Sequence, residues 1–94
     1  SEGQKVNVVY DDKGRVKRVI DQSKKEMTID YEERFGKPAV IARQGLGAIR
    51  MSYKSNGEIS KVESEKGQQV AQQVASIFSS LMDFLSPASP EVYN

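Results

Sequence analysis

Apolar and polar positions alternate along the first two thirds of the chain, and beyond Gly67 the period lengthens. Val6, Val8 and Tyr10 alternate toward a polar cluster that closes on Gly14, the pattern of a strand with one buried face running into a tight turn. The run 15–20 is β-branched and basic and fits the antiparallel return strand. The same alternation predicts strands over 5–10, 15–20, 27–31, 38–42, 48–53 and 58–63. Brief links join them: a polar connection over 21–26, a glycine-containing turn over 43–47, and Ser55-Asn56-Gly57, a strong turn signal. Pro38 cannot donate to a ladder and is expected at the start of its strand or facing an edge. After Gly67, Val70, Val74, Ile77, Phe78, Leu81, Phe84 and Leu85 fall within an arc of about 120° at about 100° per residue. Gln68, Gln72, Ser76, Ser79 and Asp83 occupy the opposite side. An amphipathic helix over 68–85 follows, with its start among 64–68 and Pro87 ending it after Ser86.

The strand pattern repeats. Gly14, Gly36 and Gly57 are separated by 22 and 21 residues, and Tyr10, Tyr31 and Tyr53 precede them by four or five. Apolar residues stand two and four positions before each tyrosine: Val8 and Val6, Ile29 and Met27, Met51 and Ile49. They return two and five positions after each glycine: Val16 and Val19, Pro38 and Ile41, Ile59 and Val62. A period held at so many positions marks an internal repeat of three hairpins. Within it, Val16 and Val19 are three apart, which a regular strand would aim at opposite faces. Either each unit carries a bulge or both faces are partly covered.

Tyr10-Asp11 followed by Gly14-Arg15-Val16 resembles the YD repeat of the RHS family, whose units run tyrosine, aspartate, two residues, glycine, arginine and a branched aliphatic. The resemblance covers roughly residues 5–63. In the second unit Glu32 replaces the aspartate, Phe35 adds a residue to the turn, and Lys37 and Pro38 follow the glycine. In the third, Lys54 replaces the aspartate and Glu58 the arginine. What the resemblance implies is a secreted, periplasmic or cell-surface setting and a structural or binding role, since relatives in that family build shells or contact carbohydrates and cell surfaces.

Composition narrows the chemistry. The 94 residues suit one small domain: a frayed segment 1–4, the repeats over 5–63, the helix over 64–86 and an extended tail over 87–94. A chain that starts without an initiator methionine, almost directly in a strand, reads as a piece of something longer. Cysteine and histidine are both absent, which removes the commonest nucleophile, general base and transition-metal ligands, so no cofactor or metal is expected. A formal charge of +1 from 14 basic and 13 acidic residues gives no pull toward nucleic acid or an anionic membrane. No run of eighteen apolar residues is present, and the helix lacks basic residues on its polar face, so membrane insertion is not expected.

The candidate residues follow. Tyr10, Gly14, Tyr31, Gly36, Tyr53 and Gly57 read as fold-making, the tyrosines packing inward and the glycines closing turns, in preference to a ligand-stacking ladder. Asp11 with Asp12, and Glu32 with Glu33, are carboxylate neighbours, but adjacent residues point apart and do not form the opposed pair that glycoside hydrolysis needs. Arg15, Lys17 and Arg18 are the basic residues best placed for a surface contact, although Asp11, Asp12 and Asp21 balance them. Val70, Val74, Ile77, Phe78, Leu81 and Leu85 supply either intramolecular packing or an interface.

The expected architecture is α+β: an antiparallel six-stranded meander with the helix covering most of one face. The expected function is non-enzymatic, a structural or binding module that scaffolds or contacts a protein or carbohydrate partner. The alternative is an assembly module that self-associates through open sheet edges or the helix stripe, and a carboxylate-based glycan enzyme is the remote third.

Overall fold

A computed structural model describes residues 5–85. They form strands β1 (Asn7–Tyr10), β2 (Val16–Ile20), β3 (Glu26–Tyr31), β4 (Pro38–Arg43), β5 (Gly47–Tyr53) and β6 (Ile59–Ser64), followed by helix α1 (Gln68–Leu85). The strands lie side by side in chain order, each antiparallel to the next. The fold is the α+β meander that the alternation predicts. The frayed start, the extended tail and the stop at Pro87 lie outside the described residues.

The question posed by Val16 and Val19 has one answer in all three units. Tyr10 pairs with Val16 while Val9 pairs with Arg18, so Lys17 is an extra residue without a partner opposite it. Ala39 is extra in the second unit, where Tyr31 pairs with Pro38 and Asp30 with Val40. Ser60 is extra in the third, where Tyr53 pairs with Ile59 and Ser52 with Lys61. Each unit therefore carries a bulge one residue into its second strand, and the bulge restores both apolar residues to the same face. Pro38 opens β4, where its missing N–H costs the ladder least.

That face carries the core. Val19, Met27, Ile29, Ile41 and Ile49 from the sheet are buried, and from the helix so are Ala71 and Val74. Ile29, Ile41 and Ile49 stand directly across from one another on β3, β4 and β5, a row on which one face of α1 rests. Val70, Ile77, Phe78 and Leu81 pack around it, as do Met51 and Val62. The expectation that α1 covers most of the sheet needs correction. Its backbone approaches β4, β5 and β6 and stays clear of β1, β2 and β3. The short link from β6 starts the helix at one side of the sheet, so its length is spent over the nearer half. Over the other half its last turns stand across a cleft of about 480 Å³, lined by Val6, Asp21, Arg43, Ile77, Leu81 and Phe84.

Candidate functional site

The side-chain chemistry of the described residues concentrates in the turns and in the joints between repeats. In the first turn the Asp11 N–H donates to the Arg15 carbonyl at 2.8 Å and the Gly14 N–H to the Asp11 carbonyl at 3.0 Å. The Asp11 carboxylate accepts from the Lys13 and Arg15 N–H groups, both at 2.9 Å, and from Arg15 Nε at 2.8 Å. The link 21–25 has the same backbone bonds, between Asp21 and Lys25 and between Lys24 and Asp21, and so does 54–58. The polar connection after β2 is thus the same hairpin turn as the one before it. It was hidden because Lys24, at φ +67°, occupies the left-handed position that Gly14 and Gly57 fill at +79° and +90°.

The second unit solves the turn differently. Its Glu32 N–H donates to the Lys37 carbonyl, one residue further on than in the first turn. The Glu32 carboxylate accepts from the Phe35 N–H at 3.0 Å and the Lys37 N–H at 2.8 Å, the places of Lys13 and Arg15 in the first turn. By this correspondence the extra residue lies within Glu33-Arg34, and Phe35 holds a regular place. One added methylene spans one added residue. In the third turn Lys54 has no carboxylate to offer, and Asn56 Oδ1 accepts the Glu58 N–H at 3.0 Å instead.

These bonds hold the carboxylates ionised. The Arg15 N–H leads in lowering the pKa of Asp11, against partial burial. Burial also opposes ionisation of Asp21 and Glu32. For Asp21 the Ser23 hydroxyl, the Lys25 N–H and Arg43 outweigh it and bring the pKa from 3.8 to about 2. For Glu32 the Lys37 and Phe35 N–H groups do so. Arg43 comes from the far end of β4, donates from Nη2 to Asp21 Oδ2 at 2.8 Å, and fastens the turn after β2 to the second repeat. The two side chains are 14 % and 12 % exposed.

The joints between repeats are built alike. The Tyr31 hydroxyl donates to the Val16 carbonyl at 2.6 Å, and the Tyr53 hydroxyl to the Pro38 carbonyl at 2.6 Å. In each case the acceptor is the residue two past the preceding unit's turn glycine. The residue one past that glycine is a cation lying over the same tyrosine. Arg15 stands 4.3 Å from the Tyr31 ring centre and Lys37 Nζ 5.6 Å from that of Tyr53. The cation then reaches the next turn: Arg15 Nη1 lies 3.7 Å from the place a β-carbon on Gly36 would take, and Lys37 Nζ donates to the Gly57 carbonyl at 2.7 Å. Phe35 adds an edge-on contact with Tyr53 at 6.4 Å. Burial raises the pKa of both tyrosines, with Asp11 adding to it at Tyr31 and Glu32 at Tyr53.

Tyr10 departs from the inward packing expected of the three tyrosines. It is 55 % exposed, because among the described residues no unit precedes the first to supply a carbonyl and a cation. Gly14 likewise has nothing against its α-carbon within 4 Å of a β-carbon position. Of the basic residues singled out from sequence, Arg15 is engaged in the joint, Lys17 is the exposed bulge residue, and Arg18 is exposed and bonded to Glu26 at 3.3 Å. Asp12 and Glu33 are exposed and stand apart from the hydrogen bonds of their neighbours. On the helix, Val74 is buried, Val70, Ile77, Phe78 and Leu81 are packed on the core, Leu85 is half-buried and Phe84 is 51 % exposed.

No protein-family model, curated protein or solved structure matches the chain. Among the described residues no group of three or more acidic side chains is placed to hold a metal ion, and no helix is long and apolar enough to cross a membrane. Sequence reasoning missed Lys37, Asp21 and Arg43. Lys37 had a signal, since like Arg15 it follows a repeat glycine. The partnership of Arg43 with Asp21 had none, because it joins residues 22 apart through the fold.

Proposed function

We propose that the chain is a non-enzymatic scaffolding and binding module of a secreted or surface-associated protein of RHS type, holding or contacting a protein or carbohydrate partner. The observation that carries this reading is the joint, built twice from the same parts. A tyrosine hydroxyl on a carbonyl and a cation on its ring make a rigid, extensible connection between hairpins. The electrostatics agree. Proton-transfer catalysts need groups that titrate near the working pH. Here the displaced carboxylates move down and the displaced tyrosines move up, both away from neutrality. The test pairs two measurements on the purified chain. Saturable binding to an immobilised glycan or protein, with no turnover of a chromogenic glycoside panel, is expected. Turnover that disappears on substitution of Asp11, Asp21 or Glu32 overturns the reading.

A second reading, self-assembly, draws on the outer edges of β1 and β6, which have no strand beside them among the described residues. Most of the apolar stripe of α1, from Val70 to Leu81, is packed on the sheet, and only its end at the half-exposed Phe84 is left beside the edges to carry it. Light scattering over a concentration series decides: a monomer at high micromolar concentration removes it.

A further inference from the structure

The described residues contain two complete joints and one half of a third. We propose that β1 is a socket for one more β-hairpin, supplied from outside the described residues, whose turn exits through Gly-Arg or Gly-Lys followed by an aliphatic residue. The inference rests on the scaffolding reading above and names its partner.

Each receiving surface in the finished joints has three parts, and the first unit presents all three uncovered. The Tyr10 hydroxyl stands where Tyr31 and Tyr53 donate to a carbonyl, and among the described residues it has no acceptor. Among the described residues no cation lies over its ring, where theirs carry Arg15 and Lys37. Gly14 is open where Gly36 and Gly57 lie against those same cations. The ladder supplies the register. At the finished joints the residue four before the tyrosine faces the residue five past the preceding glycine, as Met27 faces Val19 and Ile49 faces Ile41. The corresponding receiver on the first unit is Val6. The incoming strand must then carry glycine, a cation, an aliphatic residue, two residues free to vary and a second aliphatic residue. Backbone pairing along the edge gives affinity, and the cation over Tyr10 gives selectivity.

A second copy of this chain is the obvious rival, since β6 is its other open edge, but it carries the wrong residue. Gly57 is followed by Glu58, which would bring a carboxylate to the negative face of the Tyr10 ring. Glu58 instead pairs with Lys54 across its own turn at 3.7 Å. The array therefore has a polarity, receiving at β1 and lacking the matching cation at β6.

The experiment titrates the isotope-labelled 94-residue chain with a backbone-cyclised peptide of residues 5–20, read by amide chemical shifts. Saturable shifts confined to β1 and the Asp11–Arg15 turn are expected. An R15E version of the peptide, mimicking Glu58, should bind about tenfold more weakly. Tyr10→Phe in the protein should weaken the unmodified peptide roughly five- to tenfold, with no change in melting temperature because the ring is exposed in the free chain. No shifts up to about 1 mM peptide, shifts centred on β6, or equal binding of the Arg and Glu peptides overturn the proposal. So does a concentration-dependent dimer of the chain alone that Tyr10→Phe abolishes, which would assign the edge to a second copy. Failure here leaves the glycan and turnover measurements free to support the scaffolding reading, and turnover defeats that reading whatever the peptide does.

Discussion

Replacing Asp21 with Asn removes one negative charge from the point where the turn after β2 is fastened to β4. Its Oδ1 accepts from the Ser23 N–H, the Ser23 hydroxyl and the Lys25 N–H at 3.0, 2.6 and 3.1 Å, and its Oδ2 from Arg43 at 2.8 Å. The fall in pKa from 3.8 to about 2 corresponds to about 2 to 3 kcal/mol of preference for the ionised form in the fold. At 12 % exposure the carboxylate is shielded enough for that figure to stand without a large discount for solvent screening. Since the folded-state pKa lies below the unfolded one, this stabilisation is complete above about pH 5 and is progressively lost as the pH falls through the folded-state value of about 2. Urea unfolding followed by far-ultraviolet circular dichroism, on both proteins from pH 7 to pH 2.5, measures it. Asp21→Asn should cost about 2 to 3 kcal/mol at pH 7, and the gap should narrow to under about 1 kcal/mol at pH 2.5. Asp11 and Glu32 titrate in both proteins and drop out of the difference. A gap below about 0.5 kcal/mol at pH 7, or one that keeps its size at pH 2.5, would show that the charge is not what holds the turn.

Three further outcomes test the repeat architecture. Tyr31→Phe and Tyr53→Phe should each lower the unfolding free energy by about 1 kcal/mol by leaving a carbonyl without its donor, while Tyr10→Phe should change it by less than about 0.3 kcal/mol; equal effects at all three sites would contradict the joint. Lys24→Gly should raise stability by about 0.5 to 1 kcal/mol, because glycine takes the left-handed position without a β-carbon clash, and a lowered melting temperature would show that the Lys24 side chain contributes more than its strain costs. Deleting Glu33, or changing Glu32 to Asp, should each cost about 1 to 2 kcal/mol, whereas the two together should recover most of the loss; additive losses in the double variant would refute the matching of side-chain length to turn length.

The architecture was legible because two periods announce it. Alternation toward Tyr10, Tyr31 and Tyr53 marks the strands, and the stripe from Val70 to Leu85 marks the helix. Periodicity says which face of α1 is apolar and leaves open how much sheet that face meets, which depends on where the short link after β6 launches it. The bulges were posed by the spacing of Val16 and Val19 and decided only by pairing, because a bulge belongs to two strands at once. Tyr10 matches Tyr31 in sequence yet differs in exposure, since a residue's environment is set by its neighbour in space and the first unit has none before it among the described residues. The turn at 21–25 was invisible for a local reason: its left-handed residue is Lys24, and turn signals are read from glycine.

Glu32 and its lengthened turn bear on how such a repeat can change over time. In an ungapped alignment the missing aspartate and the inserted residue are two separate defects, while in the fold the Glu32 carboxylate reaches the Phe35 and Lys37 N–H groups across the longer turn. Together they are one compensated move. A lineage passing from the short turn to the long one must cross a weakened intermediate or take both steps at once. Units of the two kinds then sit in separate basins, each tolerant of substitution at its exposed positions and closed to the other's spacing, so a drifting array loses its sequence likeness well before it loses its joints.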